Sequence, residues 1–153
     1  MSDLEVHMGE LKIAKDPDNL IALGIGSCII ITFADPKLKI GALAHTMLPD
    51  SKKAAPSENP IKFADTAVDV MLKEMRKNGS LKQDIEAKII GGANMFPDIK
   101  HGDLKPGEDN IASVRKKLKK ESIRLVGEAV GGTSGRSVEF SSITGIVTIK
   151  IKL

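Results

Sequence analysis

The chain has 153 residues and a formal net charge of +3, with 41% hydrophobic and 28% charged residues. That balance belongs to an ordinary globular domain and excludes a disordered chain or a strongly basic tail. No apolar run approaches the roughly 20 residues that a bilayer requires, the acidic, polar start does not read as a signal peptide, and a single cysteine permits no internal disulfide, which points to a reducing, cytoplasmic setting.

One domain spanning residues 1–153 is expected, large enough to bury about two-thirds of the surface its unfolded chain exposes. Tyr and Trp are absent and Phe occurs four times, so Ile, Val, Leu and Ala must form the core. The opening LEVHMGELKI alternates through Leu4, Val6 and Met8, then changes phase across Gly9 to Leu11 and Ile13. That pattern predicts one strand with a bulge or bend at the glycine. NLIALGIG, SCIIITF and LKIGALAHTML follow as aliphatic, β-branched strands. The last two are separated by ADPK, a turn signal with Asp35 and Pro36 in its first two places. Residues 49–60, PDSKKAAPSENP, form a polar, proline-bearing loop.

Beyond the loop the period changes. Ala64, Ala67, Val68, Met71, Leu72 and Met75 recur at helical spacing, and Asn78-Gly79 ends that helix. AKII reads as a short buried strand running into GGANMF, EDNIASVRKKLKK as a second helix with Ile111, Val114 and Leu118 inward, and IRLVGEAV as a strand ending at GGTSGR. The tail SVEFSSITGIVTIKIK reads as a hairpin turning at Thr144-Gly145. Arg115, Lys116, Lys117, Lys119 and Lys120 crowd the end of the second helix, where cations complement the helix dipole. No aromatic residue interleaves with them, so the cluster reads as a solvated face and not as a nucleic-acid patch. Many strands, two helices and no repeat or linker predict an α+β fold of layered sheets.

Cys28, in LGIGSC, is the one residue of unusual chemical potential. Taken alone it fits a small buried hydrophobe, since free cysteines are among the most buried residue types. It has no CxxC partner, Ala34 breaks the CxxxxxR spacing of cysteine phosphatases, and one Cys with three scattered His makes a poor zinc site. GIGSCI carries Ile29 where a dinucleotide-binding loop needs its third glycine. A nucleophilic role needs a base. A tight hairpin centred between Pro36 and Lys37 would set His45 directly across from Cys28 on one face, with Cβ atoms roughly 4.5–5.5 Å apart. An imidazole there would favour the thiolate, and Gly24 and Gly26 would let backbone amides converge on an oxyanion.

LGIGSC, GALAHTMLP, ADTAV, AKIIGGANMF and GGTSGRSVE, in this order from about residue 5 to residue 148, resemble the successive motifs of the CheD family, the chemoreceptor glutamine deamidases. The resemblance implies a single-domain layered α/β sandwich of stacked β-sheets with two main helices outside, similar to the catalytic domain of cytotoxic necrotizing factor toxins. It implies deamidation of receptor glutamines to glutamate, with Cys28 as nucleophile and His45 as catalytic histidine. It also implies an inhibitory contact with CheC, a phosphatase of the response regulator. One position departs from the pattern: family members often carry Thr six residues before the cysteine, and here Ala22 stands there. The related toxins imply that a backbone carbonyl can orient the histidine, and Ala22 retains one.

The expected mechanism is acyl transfer to sulfur. Cys28 attacks the glutamine Cδ, the backbone amides of Ser27 and Cys28 hold the oxyanion, and His45 moves the protons, with no metal or other cofactor. Asn94 and the glycine pairs Gly91-Gly92 and Gly131-Gly132 are expected along the substrate groove. The partners expected are the cytoplasmic domain of a chemoreceptor and a CheC-type phosphatase, with no nucleic acid and no membrane insertion. The alternative is a regulatory module that grips a CheC-type phosphatase with weakened catalysis.

Overall fold

Every residue of the strand Ile29–Asp35 is buried, because this strand lies in the middle of a three-layer stack. The computed structural model describes residues 3–52, 54–97 and 105–151. In chain order its elements are β1 (Asp3–Glu5), β2 (Leu11–Lys15), β3 (Asn19–Ile25), β4 (Ile29–Asp35), β5 (Ile40–Thr46), α1 (Ala64–Lys77), β6 (Glu86–Gly91), α2 (Pro106–Lys120), β7 (Arg124–Val130), β8 (Arg136–Ser141) and β9 (Val147–Ile151). One sheet has the order β2-β5-β4-β6-β7 and the other β1-β3-β8-β9.

The alternation of side chains along β4 builds both cores. Ile29, Ile31 and Phe33 face one way and pack with Ala64, Val68 and Met71 of α1 and Val114 and Leu118 of α2. Ile30 and Ala34 face the other way, onto Leu20, Ala22, Val138 and Phe140 of the second sheet. The layers are therefore helices, five-stranded sheet, four-stranded sheet. This is the mixed α+β sandwich with two main helices outside that the sequence predicts, and both helices lie against the five-stranded sheet. The helical stripe is buried at Ala64, Ala67, Val68, Met71 and Met75, while Leu72 is half-buried at its edge.

Two expectations about strands are corrected. The opening segment is not one bulged strand. β1 pairs in parallel with β3, β2 pairs antiparallel with β5, and the corner between them, at Gly9 with φ +78°, carries the chain from one sheet to the other. The phase change across Gly9 marks a change of core. The β4–β5 hairpin is also two residues longer in its loop than expected. Asp35 pairs with Ile40, so Ile30, not Cys28, stands opposite His45. Two-residue hairpin loops need a positive φ at their first position, which the proline ring forbids at Pro36. The chain instead takes a wider turn. Asp35 Oδ1 accepts the amides of Lys37 and Leu38 at 3.0 and 3.2 Å, and Lys39 takes the left-handed conformation.

Gly41 on β5 shows how closely the two sheets meet, because a Cβ there would strike the ring of Phe140. Gly41→Ala should therefore cost about 1–3 kcal/mol as an overpacked core contact, read as a lower midpoint in urea. In a double-mutant cycle with Phe140→Leu the two losses should be less than additive. Full additivity would show that the ring and the glycine are not in register.

Candidate functional site

Cys28 sits half-buried in the turn between β3 and β4, one residue before the strand begins. Three successive carbonyls of this turn are held from outside. Ala93 N donates to Gly26 O at 3.0 Å, Asn110 Nδ2 to Ser27 O at 2.8 Å, and Gly92 N to Cys28 O at 2.9 Å. The amide of Cys28 lies against its own sulfur. Neither that amide nor the amide of Ser27 donates to another described residue's oxygen. A turn tethered by its carbonyls leaves its amide side available to a ligand.

His45 is 4% exposed and lies on the face of β5 that looks toward the second sheet, the same layer against which Cys28 packs. Since Ile30 is its cross-strand partner, Cys28 is its diagonal neighbour across the open end of the ladder. Such neighbours are roughly 7–8 Å apart in a regular sheet. No hydrogen bond joins Sγ to the ring in this state. The backbone of His45 is fixed by Gly9 N to its carbonyl at 2.9 Å and by its own N–H to Glu10 O at 3.0 Å. Its ring Nδ1 lies 3.3 Å from Val6 O. A carbonyl accepts only, so Nδ1 carries the proton and Nε2 keeps its lone pair, the form a general base needs. The carbonyl behind the imidazole is therefore that of Val6 and not that of Ala22. Ala22 is fully buried in the layer between the sheets, paired with Val138.

Burial pushes the Cys28 thiol above its ordinary value, with partial relief from its own amide. Burial likewise pushes the His45 imidazole down, against the opposing pull of the Val6 carbonyl. Both shifts favour a neutral thiol beside a neutral imidazole. Burial therefore works against a resting ion pair between the two groups.

The residues expected along a groove separate into different roles. Gly91 and Gly92 are buried behind the cysteine. Gly91 (φ +114°) has no room for a Cβ against Cys28 O, and the Gly92 amide holds that same oxygen. Gly131 and Gly132 lie further along, where Gly131 N donates to Gly91 O and Asn94 N to Gly132 O. Arg136 secures this loop through the carbonyls of Gly91, Ala129 and Gly131. Only Asn94 of this set, with Ser27, Met95, Phe96, Pro106 and Gly107, lines a largely apolar cavity of about 240 Å³ beside the cysteine turn. Asn110 had no signal in the sequence. It lies on α2 among helical residues, and only the packed structure brings its amide to Ser27 O and, at 3.2 Å, to Met47 O.

Among the described residues no group of three His, Cys, Asp or Glu side chains is placed to hold a metal ion, and no helix is long and apolar enough to cross a membrane. The basic cluster is partly neutralised: Arg115 pairs with Glu128, and Lys117 lies 2.8 Å from Asp69 and 3.4 Å from Glu121.

Comparison with known proteins bears on the whole chain. The family model described as CheD chemotactic sensory transduction matches residues 47–151, beginning just beyond His45. The probable chemoreceptor glutamine deamidase CheD of Pyrococcus abyssi (strain GE5 / Orsay) is 38% identical over 148 residues, covering 97% of this chain and 91% of that protein. The protein of the same description from Clostridium botulinum (strain Hall / ATCC 3502 / NCTC 13319 / Type A) is 41% identical over 151 residues, covering 98% of this chain and 93% of that one. Among solved structures, the Bacillus licheniformis hypothetical protein YfiH aligns with a TM-score of 0.49 at 16% identity, over 78% of this chain and 49% of its own. The matched family model and the length over which these relatives align show that this chain belongs to the CheD family.

Proposed function

We propose that this chain is a protein-glutamine glutaminase that converts glutamine side chains of chemoreceptors to glutamate, with Cys28 as nucleophile and His45 as proton carrier. The observation that carries the proposal is the cysteine turn with its three carbonyls tethered and its amides unengaged, beside a histidine whose tautomer leaves Nε2 basic. The names of the relatives supply the substrate class.

The steps follow from these groups. His45 Nε2 takes the Sγ proton as sulfur attacks the glutamine Cδ, and the amides of Ser27 and Cys28 receive the charge that develops on the oxygen. The protonated imidazole passes its proton to the departing nitrogen, so that ammonia leaves and a thioester remains on Cys28. Water then gives a proton to His45 and attacks the thioester, and collapse returns that proton to sulfur and releases glutamate. Protein groups and water suffice for every step. The substrate is the cytoplasmic domain of the receptor, a CheC-type phosphatase is the inhibitory partner, and residues 1–153 act as one deamidase domain in the cytoplasm. A regulatory module without chemistry would not need the unengaged amides or the fixed tautomer.

Incubation with a chemoreceptor cytoplasmic fragment should produce the mass gain of glutamine-to-glutamate conversion at selected sites. Cys28→Ala should abolish it, and His45→Ala should lower kcat by about 10²-fold or more. Conversion by Cys28→Ala at the wild-type rate would sink the proposal.

The pKa directions give a second expectation. A thiol raised by burial should be alkylated by iodoacetamide slowly at neutral pH, with a midpoint above the free-cysteine value of about 8.5. An imidazole lowered by burial should stay a working base to a pH below about 6.5, so the acid limb of kcat/KM should fall only beneath that value. An alkylation midpoint below neutrality would show instead that the ion pair exists at rest.

A further inference from the structure

We infer that Asn110 is a positioning residue for this reaction, clamping the nucleophile turn to the end of the strand that carries His45. The inference rests on Cys28 and His45 being the acting pair.

The β4–β5 ladder stops at Ile29 opposite Thr46, and beyond that pair the two chains part. Met47 N turns away to Lys62 O, and no backbone hydrogen bond links residues 27 and 28 to residues 47 and 48. Cys28 lies beyond that last pair, so the ladder constrains its separation from His45 only through Ile29. Asn110 bridges the gap. Its single amide nitrogen donates one hydrogen to Ser27 O at 2.8 Å and the other to Met47 O at 3.2 Å. One acceptor immediately precedes the nucleophile, and the other lies two residues after the histidine.

The side chain is chosen for those two donors. Asn110 is fully buried, and its Oδ1 is the one buried side-chain polar atom without a hydrogen-bond partner among the described residues. An orphaned acceptor is a cost that an aliphatic residue of similar size would avoid. A hydroxyl would offer a single donor, and a carboxylate none. The helix is brought close enough for this contact by Gly107, which rests on the carbonyls of Gly92 and Ala93 where any Cβ would intrude. The Gly92 and Ala93 amides hold Cys28 O and Gly26 O, so α2 and the 92–93 segment brace three consecutive residues of the turn together. A displacement of about 1 Å between reacting groups can cost about 10²-fold in rate.

Wild type, Cys28→Ala, Asn110→Ala and Asn110→Asp should be compared on a chemoreceptor cytoplasmic fragment, with folding followed by circular dichroism. Asn110→Ala should lose roughly 10- to 100-fold in kcat while KM stays within about twofold, since the residue lies behind the turn and not in the substrate's path. Asn110→Asp supplies a readout that simple packing would not move. Its protonated carboxyl offers one O–H donor, whereas its ionised form faces two carbonyl oxygens with none. Its kcat relative to wild type should therefore rise as pH falls through the titration of the new acid. A kcat within twofold of wild type in folded Asn110→Ala, a loss confined to KM, or a pH-independent ratio for Asn110→Asp would overturn the inference. If Asn110→Ala does not fold, the Asn110→Asp ratio decides alone. Activity remaining in Cys28→Ala would remove the acting pair and this inference with it. An inactive Cys28→Ala beside unaffected Asn110 variants would remove the positioning role only.

Discussion

The site depends on the direction in which one short turn presents its peptide groups. A peptide has a donor side and an acceptor side, and buried peptides must satisfy both. In residues 26–28 the acceptor side is satisfied entirely by protein: two backbone amides from the segment after β6, and one side-chain amide from α2. This arrangement requires backbone to approach backbone closely enough to exclude a Cβ, and glycine at 91 and 107 meets that requirement at the two tightest places. The parallel β6–α2–β7 connection brings all three donors to one end of the five-stranded sheet. The outer helix layer thus serves the turn as well as the core.

The histidine is secured from the opposite direction. The N-terminal chain crosses from the four-stranded sheet to the five-stranded one, and at that crossing Val6 O reaches Nδ1 while Gly9 and Glu10 fix the backbone of His45. Cys28, in the turn just before β4, and His45, on β5, therefore sit at one end of the same sheet, but separate parts of the chain orient them. β1 and the corner after it fix the tautomer, and α2 with the 92–93 segment fixes the turn. The two sets of contacts meet through the β4–β5 ladder and, where the ladder ends, through the Asn110 amide shared by Ser27 O and Met47 O.

Much of the fold could be read from the residues because burial imposes a period. The α1 stripe, the aliphatic runs of β4 and β5 and the β8–β9 hairpin all follow from which side chains must avoid water. The register of β4 against β5 did not follow, because it depends on the loop, and a proline at position 36 excludes the tighter turn that periodicity alone would allow. The corner at Gly9 was ambiguous for a related reason, since a phase change reads equally as a bulge or as a passage between two cores. Cys28 and His45 stood out by chemical type. Val6 and Asn110 did not: one contributes only a carbonyl that every residue has, and the other is one polar residue among many on a charged helix. Roles of that kind exist only after the chain has packed.

Burial acts on the two reactive groups in a coordinated way. Desolvation disfavours the charged form of each, raising the thiol and lowering the imidazole, so the same apolar layer that packs the sheets also works against charge on both groups. A lone thiol in a chain without a second cysteine has no resolving partner, and its neutral form is the slow one in alkylation and oxidation. In the proposed reaction, charge separation becomes favourable when a carbonyl enters, because the turn's amides would then face a developing oxyanion and the imidazolium a departing nitrogen. Polar groups fixed in advance need no reorganisation at that moment, whereas solvent would. Under the proposed chemistry the tethered turn and the raised thiol would work together: one would supply stabilisation that operates only along the reaction, and the other would withhold the reactive form until that stabilisation is in use.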